Sequence, residues 1–334
     1  MRRDPRYLRR KQMHLSKIRK TVCASLVALA ALAGPAAAEF PEKPIKLVVP
    51  FGQGGATDQM ARLIAPLMEK ELGQPIVLIN QPGAGGAVGL ANLAHARPDG
   101  YTIGVGSDST LAARPLMSKS GYTAESFATI ARVVEIPSGV AVRSDSPYKS
   151  LGDLVAAMKT KDLTWSSSGI GSGPHLAMAV FLAQNGLKAT YVNSNSGQEA
   201  MVKLLSGEVA FLSAGGSNFP PMLEDGKGDI RVLGLAAEKR WTYLPDVPTY
   251  KEQGFDYLRS QWFGLVAPAG TPDEAVAKMS AAVKGAVENP EFEKRLGTFY
   301  FNAAYQDPKT MRGQIEKEAA ELKPVLEQAG LVQN

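Results

Sequence analysis

Ile45-Lys46-Leu47-Val48-Val49-Pro50 runs into Phe51-Gly52-Gln53-Gly54-Gly55-Ala56-Thr57-Asp58, and Ile76-Val77-Leu78-Ile79-Asn80 runs into Gln81-Pro82-Gly83-Ala84-Gly85-Gly86. Tyr101-Thr102-Ile103-Gly104-Val105-Gly106 likewise runs into Ser107-Asp108-Ser109-Thr110. Continuous apolar runs of this length, with helical patterns between them, read as parallel strands buried on both faces. Their loops then share the carboxyl edge of one sheet, the edge at which open α/β sheets bind ligands. Two of the loops deliver glycine backbone, and at least two open helices, whose unpaired N–H groups favour an anion. The stretch reads as a site for a small anion.

Working outward, residues 58–72 form an amphipathic helix. Met60, Leu63, Ile64, Leu67 and Met68 recur at spacings of three and four, Gly73 closes the helix, and Thr57 or Asp58 is the expected N-cap. A second helix is expected at about 87–96, before the turn Arg97-Pro98-Asp99-Gly100. Residues 127–142 are extended, with a break at Pro137-Ser138-Gly139. A second run of βα units follows, with strands at 163–166, 189–192, 209–212 and 230–236 and helices at 151–159, 174–184 and 198–205. Its loops are again small and polar: Ser167-Ser168-Gly169-Ile170-Gly171-Ser172-Gly173, Asn193-Ser194-Asn195-Ser196-Gly197 and Ser213-Ala214-Gly215-Gly216-Ser217-Asn218. Trp262 begins another extended segment, and helices end the chain at about 272–287 and 309–328. This is an α/β chain of two lobes, residues 39–138 with 264–334 and residues 139–263, joined by extended crossings near 134–142 and 260–266.

The first 38 residues read as a secretory leader, with Met1 or Met13 as its start. Arg and Lys crowd before Lys20, an apolar run of about 13 residues follows, and Pro35-Ala36-Ala37-Ala38 supplies a small-residue cleavage pattern before Glu39. The apolar run falls short of the roughly 20 residues a membrane span needs. Nine of the 37 Lys and Arg lie in this segment, against one of the 32 acidic residues, so the rest carries 28 bases and 31 acids, a formal charge of −3. The basic balance thus belongs to the leader, and a nucleic-acid partner loses its support. The single cysteine, Cys23, also lies there, so the mature core must hold without disulfides. The mature product is expected to be soluble, periplasmic and monomeric.

Several chemistries fail on their residues. Neither glycine loop completes G-x-G-x-x-G, no lysine follows in a Walker pattern, and no mature serine sits in G-x-S-x-G. Metal binding has only His95 and His175 to draw on, so neither a metal nor a cofactor is expected, and no enzymatic activity. His175, in the first turn of its helix, stands open between a hydrogen bond within its own loop, a ligand contact and a catalytic base that lacks a nominated nucleophile. Each glycine loop taken singly also reads as a tight turn. Ser107, Ser109, Ser166, Ser168 and Ser172 read equally as caps. Trp262 reads as core or as site.

The residues also carry a family pattern. Phe40-Pro41-Glu42-Lys43-Pro44, Gly73-Gln74-Pro75, Pro82-Gly83-Ala84-Gly85-Gly86, Pro98-Asp99-Gly100-Tyr101-Thr102, Leu244-Pro245-Asp246-Val247-Pro248-Thr249 and Trp262-Phe263-Gly264-Leu265 occur in that family's order. Over essentially the whole mature chain the sequence resembles the Bug family, the periplasmic receptors of tripartite tricarboxylate transporters. The resemblance implies a type II periplasmic binding protein whose two lobes close on a small organic carboxylate, a di- or tricarboxylate or an aromatic one, and deliver it to membrane permease subunits. The alternative partner is a sensor kinase. The resemblance implies that loop backbone holds the carboxylate, which points to Gln53, Gly54, Gly55 and Thr57 with Ala84, Gly85 and Gly86. Ser107, Ser168, Ser172 and His175 would lie just behind them. The loop-borne Asp58, Asn193, Asn195 and Ser213 complete the expected set, and no fixed positive side chain is required. Two departures bear on the ligand: Tyr191-Val192-Asn193-Ser194-Asn195-Ser196-Gly197 stands where the family has a His-Val-Pro-Tyr-Lys-Gly-like segment, and Gln53 where it often has proline.

Overall fold

The computed structural model describes residues 40–224 and 228–332, and the leader expected in residues 1–38 lies outside them. Every element below belongs to one compact unit, Lys43–Asn334. β1 (Ile45–Val49), β2 (Ile76–Asn80) and β3 (Thr102–Ser107) pair in parallel in the order β2-β1-β3. Leu47, Val48 and Val49 are buried in succession, hence on both faces, as the apolar run requires. α1 (Ala56–Leu72) and α2 (Ala87–Ala94) connect these strands. α1 buries Met60, Leu63, Ile64, Leu67 and Met68 and stops at Gly73, whose φ of 66° is left-handed. Its N-cap is Gly55, with no side-chain cap, rather than Thr57 or Asp58, because Asp58 is drawn inward to other partners.

After β3, where a loop was expected, the chain makes a π-helical turn, Asp108–Ala113, that continues as α3 (Arg114–Met117). Ser107 caps the turn: its Oγ accepts the Thr110 N–H at 3.3 Å, and its own N–H donates to Thr110 Oγ1 at 2.9 Å. The Arg114 N–H closes the wider register on the Ser109 carbonyl. Such single π turns are rare and cluster at functional sites.

β4 (Phe127–Arg143) is unbroken over 17 residues. Pro137 interrupts nothing because the strand changes partners there. Residues up to Pro137 pair with β9 (Ser260–Pro268), and Ser138 onward pairs with β7 (Phe211–Gly215) and β8 (Ile230–Leu235), all antiparallel. The missing N–H of proline therefore falls between two ladders. The second sheet adds β5 (Thr164–Ser166), parallel to both β6 (Thr190–Tyr191) and β7. Its helices are α4 (Leu151–Met158), α5 (Gly173–Gln184), α6 (Gly197–Leu205) and α7 (Pro220–Glu224). β9 closes the first sheet by running antiparallel to β3 as well as β4.

The C-terminal elements are α8 (Asp273–Val287), α9 (Pro290–Leu296), β10 (Asn302–Gln306) and α10 (Pro308–Gln328). They return to the first sheet: α8 packs on α1 and β4, β10 pairs with β4, and α10 covers β4 and the π-helical turn. Trp262 belongs to the core. It is fully buried, and its Nε1 donates to Glu318 of α10 at 2.9 Å, which ties β9 to the terminal helix. β4 thus passes from one sheet to the other, and β9, which begins opposite Pro137 where β4 changes sheets, lies in the first.

Candidate functional site

Two sets of parallel strands, β1–β3 and β5–β7, present the loops at their carboxyl ends to one cleft of about 740 Å³. All six loops reach it. The first sheet contributes Gly54 and Gly55 after β1, Gly85 after β2, and Ser107 and Ser109 at the end of β3. The second contributes Ser168 to Ser172 after β5, Asn195 to Gln198 after β6, and Ser217 and Asn218 after β7. Gln261 and Phe263 of β9 line the floor, and Phe299 and Tyr300 ahead of β10 add aromatic surface.

The loop after β1 is held from beneath by Asp58. Its Oδ2 accepts the Gly54 N–H at 3.0 Å and Arg62 Nε at 2.8 Å, and its Oδ1 accepts Asn80 Nδ2 at 3.0 Å. Asn80 Nδ2 also reaches the Phe51 carbonyl at 3.0 Å. Burial alone would raise the Asp58 carboxyl, but the bonds from Arg62, the Gly54 N–H and Asn80 outweigh it and hold the group below the usual carboxylate range. Asp58 is therefore a positioning group beneath the cleft. What faces the cleft is the start of α1: Gly55, Ala56 and Thr57, on a helix without a side-chain cap. The first-turn N–H groups of such a helix suit an anion.

The loop after β2 has positive φ at Gly83, Ala84, Gly85 and Gly86 in succession, an unusual run in which alanine too is left-handed. It shows only Gly85 to the cleft. Gly86 is buried against Phe51 and Thr110, and Ala84 is exposed without lining the cleft.

Arg114, delivered by the π-helical turn, is the one charged residue lining the cleft among the described residues. A Cβ on Gly85 would collide with its guanidinium, and one on Gly171 of the opposite sheet's loop would lie 3.6 Å from its Nη2. The fork is thus seated between two glycine loops. Nothing in the residue pattern had drawn attention to this cation. Gln261 was likewise missed; its Nε2 is buried without a partner among the described residues.

The second sheet's loops are braced by short bonds between small side chains. Ser166 Oγ donates to the Val192 carbonyl at 2.7 Å, Ser213 Oγ donates to the Pro174 carbonyl at 2.8 Å, and Ser172 Oγ caps α5 by accepting the His175 N–H at 3.4 Å. His175 resolves as the hydrogen bond within its own loop: Nδ1 accepts the Gly171 N–H at 3.3 Å while the ring stacks on Trp165 and meets the edge of Tyr191. Burial pushes its pKa down to about 4, so it stays neutral. Asn195 lines the cleft, though its side-chain NH₂ and its backbone N–H are both given to Glu199.

Of the residues expected at the ligand, Gly54, Gly55, Thr57, Gly85, Ser107, Ser168, Ser172 and Asn195 line the cleft. Asp58, Gly86, His175 and Ser213 lie behind it, while Gln53, Ala84 and Asn193 are exposed and are not among the residues that line it. No group of three or more potential metal-ligating side chains occurs among the described residues, and no described helix is long and apolar enough to cross a membrane.

Two α/β lobes joined by extended crossings, with strand-end loops facing each other across the cleft, define a solute-binding protein. Residues 60–331 match the model of the tripartite tricarboxylate transporter receptor family, TctC, and the chain belongs to that family. The family is one of receptors, not of enzymes. The protein BugT of Bordetella pertussis is 30% identical over 312 residues, covering 91% of this chain and 95% of its own. MatC of Rhodopseudomonas palustris, solved with bound malate, is 32% identical with a TM-score of 0.73, covering 86% of this chain and 100% of its own. A second R. palustris protein, solved with adipate, is 28% identical with a TM-score of 0.76, covering 88% and 99%.

Proposed function

We propose that this receptor works in the periplasm, where it captures a small organic carboxylate and delivers it to the permease of a tripartite tricarboxylate transporter. The carrying observation is the convergence of an uncapped helix start, six small polar loops and one cation on a single cleft. Malate and adipate in two relatives of the same fold support the ligand class. Charge-assisted hydrogen bonds contribute roughly 1.5–3 kcal/mol each, so three or four of them, less the cost of ordering, reach the about −8 kcal/mol of a micromolar receptor. Residues 39–138 with 264–334 would move as one lobe and residues 139–263 as the other, with β4 and β9 flexing between them, and closure is the signal a permease reads.

The test is thermal unfolding of residues 39–334 against mono-, di-, tri- and aromatic carboxylates, joined to uptake of any hit by cells with and without the permease genes. A ligand at 100 times its dissociation constant stabilises by about 2.7 kcal/mol. A shift confined to one carboxylate class, with uptake lost on permease deletion, is expected. No shift with any carboxylate refutes the ligand class. A shift with undiminished uptake, and a transcriptional response instead, refutes delivery in favour of sensing.

A further inference from the structure

Arg114 is half-buried, and its guanidinium makes no hydrogen bond or ion pair among the described residues. The acid six residues before it makes no ion pair with it: the Asp108 carboxyl is buried in the field of Glu318, Arg259 and Arg132, with Oδ2 unpartnered among the described residues. The arginine is also held in place. The π register ends on its own N–H, Gly85 and Gly171 close on its fork from the two sheets, and Met117 fills the space beside Gly171. A fixed cation without a counter-ion, wedged where loops of both lobes meet, sits at a costly place in a cleft that closes.

Resting on the carboxylate-receptor reading above, we propose that Arg114 reads a second carboxylate, so that the site selects dicarboxylates over monocarboxylates of the same length. The first carboxylate goes to loop backbone at the start of α1. The guanidinium fork matches a carboxylate in shape and can bind it through two parallel N–H···O bonds. Selection then has two parts. A dicarboxylate supplies the counter-ion as the lobes close, whereas a monocarboxylate would enclose the cation against an apolar end and leave its donors unmet. Phe51, Phe263, Phe299 and Tyr300 line the same cleft and suit the carbon chain between the two acids.

Calorimetric titration of the mature protein with matched pairs tests this: malate against 3-hydroxybutyrate, adipate against hexanoate, the other straight-chain C4–C8 diacids against their monoacids, and terephthalate against 4-methylbenzoate. The wild type should bind the diacid of its preferred pair at least about tenfold more tightly, the value of one charge-assisted pair. In Arg114→Gln that ratio should fall toward one through loss on the diacid side and a gain on the monoacid side, where no cation is left to enclose, and Arg114→Lys should retain part of it. Since the side chain makes no hydrogen bond within the described fold, both variants should melt with the wild type. A ratio unchanged in Arg114→Gln overturns the assignment. Equal weakening of both members of a pair overturns it too, because the arginine would then hold the first carboxylate. Binding of no acid by the wild type refutes the carboxylate receptor itself, which is a distinct failure.

Discussion

Replacing Asp58 with asparagine keeps the shape of the side chain and breaks its chemistry. Both carboxylate oxygens accept: Oδ2 from the Gly54 N–H and Arg62 Nε, Oδ1 from Asn80 Nδ2. An amide in that place must turn its NH₂ toward one of these donors. If it faces Gly54 and Arg62, two bonds are lost at once. If it faces Asn80, the clash cannot be relieved by flipping Asn80, whose Nδ2 also holds the Phe51 carbonyl. The Asp58 side chain is 2% exposed, so an amide NH₂ turned toward another donor there has no water to turn to, while Arg62 is 52% exposed and its ion pair contributes only about 0–1 kcal/mol. One lost charge-assisted bond plus one buried unmet donor gives a destabilisation of about 2–4 kcal/mol. For a chain of this size that is a fall in melting temperature of roughly 3–6 °C.

The two arms of the assay are calorimetric melting and ligand titration of Asp58→Asn, because the same bonds fix the Gly54 backbone that faces the cleft. Affinity should drop along with stability. The pH dependence has a definite sign: the folded carboxyl is held below its unfolded value, so its contribution is fully present above about pH 4 and is lost as the pH falls through the folded pKa. The gap between wild type and variant should therefore narrow in acid. A variant that melts within about 1 °C of the wild type at pH 7 and binds ligand unchanged would refute the placement of Asp58 as the brace of this loop.

His175, pushed by burial down to about 4, should show an imidazole NMR titration near that value and none at 6–7, with the stability it contributes complete above about pH 6.5 and lost between there and pH 4. Asp108 is the opposite case: burial, then the nearby Glu318 charge, pushes its carboxyl up to about 7, so its contribution is complete below about pH 4 and declines as the pH rises to 7, with a slope of up to about 1.4 kcal/mol per pH unit. Asp108→Asn should therefore gain on the wild type between pH 5 and pH 8 in urea unfolding, and parallel curves would contradict this. Gly85→Ala must take a left-handed φ of 63° and drive a methyl group into Arg114, so it should lose about 1 kcal/mol of stability and at least tenfold in diacid affinity by titration.

β1 and β3 were legible because burial on both faces leaves continuous apolar runs; β2 carries the same run at the sheet edge, where Val77 is exposed and the expected two-sided burial fails; and α1 was legible because one buried stripe leaves spacings of three and four. Pattern alone failed where partners distant in sequence decide. Asp58 at a helix start looks like a cap, yet Asn80 and the Gly54 N–H draw it inward and leave the cap to Gly55. Pro137 looks like a strand end, yet the strand passes through it at the changeover between two ladders. The π-helical turn has a five-residue register that no search at 3.6 can detect, and β10, with no fully buried residue, lacks an apolar alternation to read. The site divides in the same way. Where backbone lines a cleft, the sequence must carry glycines and small polar residues at strand ends, and Gly54, Gly85 and Ser168 reach the cleft by that trace. Arg114 leaves no such trace. A single arginine before a proline looks like any surface cation, and it comes to line the cleft only because Gly85 and Gly171, from opposite sheets, leave room for its fork between them. Backbone-built sites thus announce where a ligand goes, whereas the side chain that chooses among ligands is set by tertiary contacts.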